Sequence, residues 1–263
     1  MSPDIDDIAS LIKQAGQNII LPAFQNTTET NIKSDGSIVT KIDLACQELI
    51  EAGLKDIDPD TAFLGEEMTP AEQRQCLENS DGRYWCLDPL DGTTNFVASL
   101  PIFASSLALI ENGQPVLACI HDPVRGETFS AIRGKGAWNN GAALHTSPAQ
   151  QLKDAVGFID FKRLSHGPAV RLATEKHYRS QRNIGTCALE WAWLAAGRAQ
   201  FIIHGRQKLW DYAAGALLVS EAGGMVSDFE DRDPFTRVQL ESSVLAAADR
   251  NTHQQLNRLL AAN

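Results

Sequence analysis

The stretch Trp85-Cys86-Leu87-Asp88-Pro89-Leu90-Asp91-Gly92-Thr93-Thr94-Asn95-Phe96 holds the residue types from which a site for hard cations and phosphate could be built. The apolar segment Tyr84 to Leu87 is short enough for a buried strand. It delivers two aspartates three residues apart, with Pro89 between them expected to stop the strand ladder. Gly92 and two threonines then permit a tight turn whose N–H groups face outward. Carboxylates beside a Gly-Thr turn suit oxygen-seeking cations on one side and phosphate on the other. Taken alone, Asp-Pro and Asp-Gly are also ordinary turn signals.

Other acids stand at the ends of predicted elements. Thr61 to Leu64 reads as a short strand that ends at Gly65-Glu66-Glu67. Two adjacent carboxylates repel, so alone they would form a solvated turn, and beside the aspartate motif a metal-binding pair. Asp43 follows Ile38-Val39-Thr40 and could simply complement the dipole of the next helix. Asp211 opens a helix that Gly223 and Gly224 stop, again unremarkable alone. Gly185-Thr186-Cys187 leads into a helix. It offers N–H groups and a hydroxyl to substrate oxygens, or else a plain N-cap. His204, Arg206 and Lys208 form a basic trio that could meet a second anionic group on a substrate, or belong to a solvated loop or a subunit contact. No Ser-His-Asp set or reactive-cysteine motif offers a covalent alternative.

The elements that must position these residues follow from periodicity. Residues 5–20 carry Ile5, Ile8, Leu11, Ile12, Ala15 and Ile19 at helical spacing. The polar stretch Gln25 to Ser37 reads as a mobile loop or hairpin tip, and its Lys33 could close over the site or be a free loop lysine. Ala45, Cys46, Leu49, Ile50 and Leu54 line one face of a second helix, and residues 69–80 read as a surface helix or lid. Phe103 to Ile110 and Pro115 to His121 flank Asn112-Gly113, a strong hairpin signal. His121 is read as a polar cap at a strand end, and Gly134 to Gly141 as a structural turn-rich segment. Further strands are expected at 126–132, 155–160, 201–203, 225–228 and 244–248, with helices at 167–177, after 187, and at 250–261.

Composition bounds the answer. The chain has 263 residues, 43% hydrophobic and 21% charged, with net charge −10. That length supports one large domain or two closely packed halves, here placed at residues 1–146 and 147–263. The acidity argues against a general nucleic-acid-binding surface, and it would repel a phosphorylated substrate unless metal ions reverse the sign locally. Five scattered cysteines lack zinc-ligand spacing and fit buried thiols in a cytoplasmic protein. No run reaches membrane-spanning length.

Asp88 to Phe96 resembles the signature of the inositol monophosphatase family of magnesium-dependent, lithium-sensitive phosphatases. Val39-Thr40-x-x-Asp43, Gly65-Glu66-Glu67, Trp210-Asp211-x-Ala213-x-Gly215 and Gly134 to Gly141 extend the resemblance over nearly the whole chain. It implies an α/β layered sandwich of the five-layer αβαβα carbohydrate-phosphatase type, in a homodimer, acting on a small phosphorylated substrate with two or three Mg2+ ions. In that pattern Glu66, Asp88 and the Leu90 carbonyl hold one ion, and Asp88, Asp91 and Asp211 hold a second. Glu67 acts from further out, and Glu66 can help bind a weaker third ion. Thr93, oriented by Asp43, positions and helps deprotonate the attacking water, with Glu66 as the other catalytic group. The N–H groups of Gly92 and Thr93 take phosphate oxygens.

One departure concerns specificity. Inositol-selective members carry a glutamate seven residues before the final metal aspartate, and this chain has His204 there. Substrate contacts are assigned to Asp91, Gly92, Thr93, Gly185, Thr186, Cys187, His204, Arg206 and Asp211. The resemblance points to an inositol-1-monophosphatase. The alternatives are fructose-1,6-bisphosphatase, histidinol-phosphatase and 3′-phosphonucleotide phosphatase. A rival of another class is a regulatory binding protein that keeps the fold, whose signature would be an eroded metal site. Here Glu66, Glu67, Asp88, Asp91 and Asp211, with Asp43 and Thr93, are all present.

Overall fold

The structure is a computed structural model that describes residues 3–24, 30–32, 38–237 and 239–261. Lys33 and most of the expected mobile loop lie outside the described residues. Helix α1 (Ile5–Ala15) starts on Asp4, whose carboxylate accepts from the Asp6 N–H at 3.0 Å, and it buries Ile8, Leu11, Ile12 and Ala15. It continues through a π-helical turn, Gly16–Ile20, into α2 (Leu21–Phe24). A short antiparallel ribbon, β1 (Thr30–Ile32) with β2 (Ile38–Thr40), feeds α3 (Lys41–Ile57). Thr40 and Asp43 form a capping box there, so Asp43 is both a helix-start residue and a buried one.

The larger sheet is built from β3 (Ala62–Gly65), β4 (Arg83–Asp91), β5 (Ala104–Glu111), β6 (Gln114–Asp122), β7 (Glu127–Ile132), β8 (Gly136–Asn139) and β9 (Ala142–Ala143), in sequential order. Only the β3–β4 pair is parallel. Helices α4 (Pro70–Asn79) and α5 (Thr93–Val97) flank β4 in sequence. Between β5 and β6, Asn112 and Gly113 both take positive φ (51° and 76°), the two-residue turn whose twist matches a hairpin.

The smaller sheet contains β10 (Val156–Asp160), β11 (Ser180–Arg182), β12 (Phe201–Lys208), β13 (Met225–Ser227) and β14 (Glu241–Ala247). Their spatial order is β11-β10-β12-β14-β13. Helices α6 (His166–Thr174), α7 (Cys187–Ala195), α8 (Leu209–Glu221) and α9 (Arg250–Ala261) complete the chain.

Three buried clusters define five layers. Ile8 and Ile12 of α1 and Ile50 and Leu54 of α3 pack on one face of the larger sheet, through Trp85, Leu87, Leu107 and Leu109. The opposite face, through Cys86, Ile110, Ile120 and Phe129, meets α7 and α8, which also cover Ile202, Val244 and Ala246 of the smaller sheet. The far face of that sheet, with Phe201, Ile203 and Leu245, is closed by Leu172 of α6 and by Leu256 and Leu260 of α9. Helices α7 and α8 are apolar nearly all round, as a layer buried between two sheets requires.

Two local expectations need correction. Pro89 does not end the ladder: β4 pairs with β5 at Asp88, loses register, and pairs again at Asp91. Proline lacks an N–H to donate, and the resulting bulge leaves the Pro89 carbonyl to accept from Ser105 Oγ at 2.8 Å. Strand β12 runs to Lys208 rather than ending near residue 203, so His204, Arg206 and Lys208 lie on a strand and not in a loop.

Candidate metal and phosphate site

Four carboxylates from three chain regions meet at one end of the larger sheet. The β4 bulge fixes Asp88, whose Oδ1 accepts from the Leu90 N–H at 3.0 Å. Neighbouring β3 ends beside it, and the Glu66 N–H donates to the Leu87 carbonyl at 3.0 Å. Buried Gln73 braces that corner from α4, its Nε2 lying 3.2 and 3.3 Å from the Gly65 and Glu66 carbonyls. Asp211 arrives on the first turn of α8, where its Oδ2 accepts from the Lys208 N–H at 2.9 Å. Asp91 is gripped by the start of α7: its Oδ2 accepts from Thr186 Oγ1 at 2.6 Å and from the Ala188 N–H at 2.5 Å.

Glu66, Asp88, Asp91 and Asp211 line a cavity of about 170 Å³, together with Leu90 and Thr93. Gly92, Thr94 and Gly185 complete its wall. Gly92 takes φ 93°, which lets the chain leave β4 and start α5 at Thr93 within one residue. The first N–H groups of a helix have no partner within it, so this turn presents donors to the cavity. Gly185, at φ 74°, passes so close to Asn95 that a Cβ would stand 3.0 Å from its amide.

The electrostatics are one-sided. Among the described residues that line the cavity, four are acidic and none is basic. Burial holds the Asp88 and Asp211 carboxyls well above the usual carboxylate range, and the neighbouring acids push them further. Asp91 is pushed up to about 6 by burial, with the bonds from Thr186 and Ala188 opposing the shift. Buried like charges are costly to hold together, and a bound cation relieves that cost. The donors are hard oxygens from separate segments, which fit Mg2+. Among the described residues no three His, Cys, Asp or Glu side chains are arranged as a metal-holding group.

At the cavity wall, Thr93 Oγ1 lies 3.1 Å from Asp43 Oδ1 and 3.0 Å from the Leu90 carbonyl. Asp43 is only 1% exposed, and its other oxygen accepts from the Thr40 N–H at 2.8 Å. Burial raises the Asp43 carboxyl, against the lowering effect of its Thr40 bonds. The expected Asp43–Thr93 pairing is thus in place.

Other expected contact residues sit further back. The Glu67 N–H donates to Gln47 Oε1 at 3.2 Å, and Glu67 is not among the cavity-lining residues. Cys187 directs its N–H toward Asp91, and burial raises its thiol well above the ordinary value. The basic trio does not line the cavity. His204 is buried with Nε2 3.4 Å from Asp160 Oδ2, while Arg206 and Lys208 both pair with Glu241 at 3.2 and 2.8 Å.

Two positioning residues escaped the sequence reading. Asn95 Nδ2 donates to the Ile102 and Ile184 carbonyls at 2.8 and 2.7 Å, tying α5 to the loop that carries Gly185. Glu190 accepts from the Ile184 N–H at 3.2 Å and is 6% exposed; burial pushes it up to about 8. An acid inside the apolar run Ala188-Leu189-Glu190-Trp191-Ala192 was the available signal for it.

The Inositol monophosphatase family profile matches residues 3–263. The fructose-1,6-bisphosphatase/inositol-1-monophosphatase of Thermotoga maritima is 38% identical over 200 residues, covering 74% of this chain and 73% of the relative. Nus factor SuhB of Escherichia coli K12 is 35% identical over 238 residues, covering 87% and 86%. Among solved structures, an IMPase of Thermotoga maritima superposes with a TM-score of 0.83 at 31% identity, covering 97% of this chain and 95% of the other.

Proposed function

Because the chain belongs to the inositol monophosphatase family, we propose that it is a Mg2+-dependent phosphomonoester hydrolase acting on an inositol or related polyol phosphate. The observation that carries this reading is the cavity that Glu66, Asp88, Asp91 and Asp211 line together, bordered by the Asp43–Thr93 pair. Glu66, Asp88, Asp91, Asp211 and the Leu90 carbonyl would hold two or three ions. When bound, the ions would neutralise substrate charge and make water acidic enough to lose a proton near neutral pH.

The chain's own residues supply orientation and proton handling. Thr93 Oγ1 is held between Asp43 and the Leu90 carbonyl, so it can accept a proton from the attacking water while passing its own to Asp43. The outward N–H groups of Gly92 and Thr93 bind phosphate oxygens. Attack is in line, with no phosphoenzyme. Lithium inhibition, a homodimer and a cytoplasmic location are further parts of the proposal, drawn from the family resemblance. Among the described residues no helix is long and apolar enough to cross a membrane.

The name of the Thermotoga relative joins bisphosphatase and monophosphatase activities. The pairing of Arg206 and Lys208 with Glu241, and of His204 with Asp160, favours the monophosphate here. Those side chains already have carboxylate partners and so offer less to a second phosphate. A regulatory role like that named by Nus factor SuhB is the second reading, and the full acid set argues that it would stand beside catalysis rather than replace it.

A substrate panel with Mg2+ tests the proposal. Myo-inositol 1-phosphate should be preferred over fructose 1,6-bisphosphate and 3′-phosphonucleotides, with lithium inhibiting. No preference would sink the substrate assignment, and no turnover of any phosphomonoester would sink the activity.

A further inference from the structure

A groove of about 760 Å³ lies between α1 and the β6–β7–β8 face, and it shares no lining residue with the carboxylate cavity. Its volume is in the range of small-molecule sites. His121 of β6 lines it although the residue is only 3% exposed. His121 Nδ1 lies 3.1 Å from the Glu127 carbonyl and 2.9 Å from Thr128 Oγ1. A carbonyl only accepts, so Nδ1 carries the ring proton and Nε2 is left as an acceptor. Among the described residues Nε2 has no hydrogen-bond partner. Burial also lowers the basicity of this imidazole, which keeps Nε2 free of a proton near neutral pH.

The covering helix passes close to that ring edge at Gly16. A Cβ on Gly16 would stand 2.8 Å from His121 Cδ2 and 3.1 Å from Nε2, so no larger residue fits there without displacing the ring. Gly16 begins the π-helical turn, a widening that recurs at functional sites and that sets Gln17 on the groove wall. Lys13, one turn earlier, also lines the groove and makes no ion pair among the described residues. Its charge is felt at the His121 ring, and both residues line the same groove. Half-buried Trp138 of β8, with Ile5 and Ile132, gives a flat apolar wall.

We propose that this groove binds a planar aromatic carboxylate bearing a ring N–H or O–H. The ring lies against Trp138, the carboxylate meets Lys13, and the donor hydrogen goes to His121 Nε2. An aliphatic anion would leave the indole wall and the buried acceptor unmet. A cationic ligand would face Lys13; Asp6, which also lines the groove, stands two helical turns (about 10 Å) back along α1 from Lys13. The three elements together select the class, as a few fixed polar groups in an apolar pocket do. The site stands independently of the phosphatase reading.

The test uses the full chain and indole-3-carboxylate as probe, followed through the 15N signals of the His121 ring and the Trp138 indole. Saturable shifts of both are expected, with the Nε2 signal moving as an acceptor gaining a hydrogen bond. Benzoate, which lacks the donor, and indole, which lacks the charge, should each bind about tenfold more weakly. Lys13→Ala, a surface change that leaves the fold intact, should weaken indole-3-carboxylate several-fold, and His121→Phe about tenfold or more. No saturable shift up to about 5 mM probe would overturn the proposal. So would saturation that Lys13→Ala and the two control probes leave unchanged.

Discussion

The Thr186 hydroxyl donates to Asp91 Oδ2 at 2.6 Å, joining residues 95 positions apart in the chain. Asp91 closes β4 of the larger sheet, and Thr186 caps α7 in the central helical layer. One hydroxyl therefore both caps a helix, accepting from the Leu189 N–H at 3.5 Å, and fixes a cavity carboxylate that burial alone would push further from ionisation. Thr186→Val should cost roughly 1–3 kcal/mol of stability. It should also weaken Mg2+ binding about tenfold, since Asp91 becomes harder to deprotonate. Thr186→Ser should restore both. Denaturant titration and calorimetric Mg2+ titration check this, and an unchanged affinity in the valine variant would separate Asp91 from the metal.

Much of this site was legible because its residues are local in sequence. The run from Asp88 to Thr93 carries two acids, a turn and a helix start within six positions, and its chemistry needs no tertiary knowledge. The bulge at Pro89 was not legible, because the ladder resumes only through pairing with Ala104 on β5. Asn95 was missed for the same reason: its Ile184 partner lies 89 residues away in sequence. The five layers followed from family likeness, and the physical reason lies in α7 and α8, whose apolar surfaces need a sheet on each side. Arg206 and Lys208 read as free charge because Glu241, their partner, lies more than 30 residues away in sequence and is met only across the β12–β14 pair.

Glu190 makes stability depend on pH. Burial pushes it up to about 8 from an ordinary value of 4.5, so the folded protein holds a proton that the unfolded chain releases between those values. Its contribution is complete below the unfolded value and is lost as pH rises through about 8. Glu190→Gln keeps an acceptor for the Ile184 N–H and removes the titration. Measured with chelator present, the stability of the glutamine variant relative to the parent should grow steadily from about pH 5 to about pH 9. A difference that is flat across that range would mean Glu190 is ionised in the folded state.

Metal binding should be linked to protons with the opposite dependence. Asp88, Asp91 and Asp211 are all raised, Asp91 to about 6, and each must be ionised to act as a ligand. Mg2+ affinity should therefore fall as pH drops through that region, with protons released on binding. Calorimetry in two buffers of different ionisation enthalpy reads the proton count. Binding at pH 6 without proton release would contradict the burial argument for these acids.

Arg206 and Lys208 test the specificity argument. Both pair with Glu241 at partly exposed positions, so Glu241→Gln should cost only about 0–1 kcal/mol. Freed of their partner, the two cations should raise kcat/KM for fructose 1,6-bisphosphate several-fold relative to myo-inositol 1-phosphate. An unchanged ratio would show that this face of β12 does not meet the substrate.

The central claim is that the carboxylate cavity is a metal-dependent phosphatase centre. Its most direct test is phosphate release from myo-inositol 1-phosphate, titrated with Mg2+, for the parent chain and for Asp88→Asn. Turnover should appear only with Mg2+ and fall by roughly 10³-fold or more in the variant. The same change should leave the metal-free fold at least as stable, because it removes a buried carboxylate whose charge the acidic neighbours oppose. Parent-level turnover in a folded Asp88→Asn protein, or turnover that ignores Mg2+, would contradict the account.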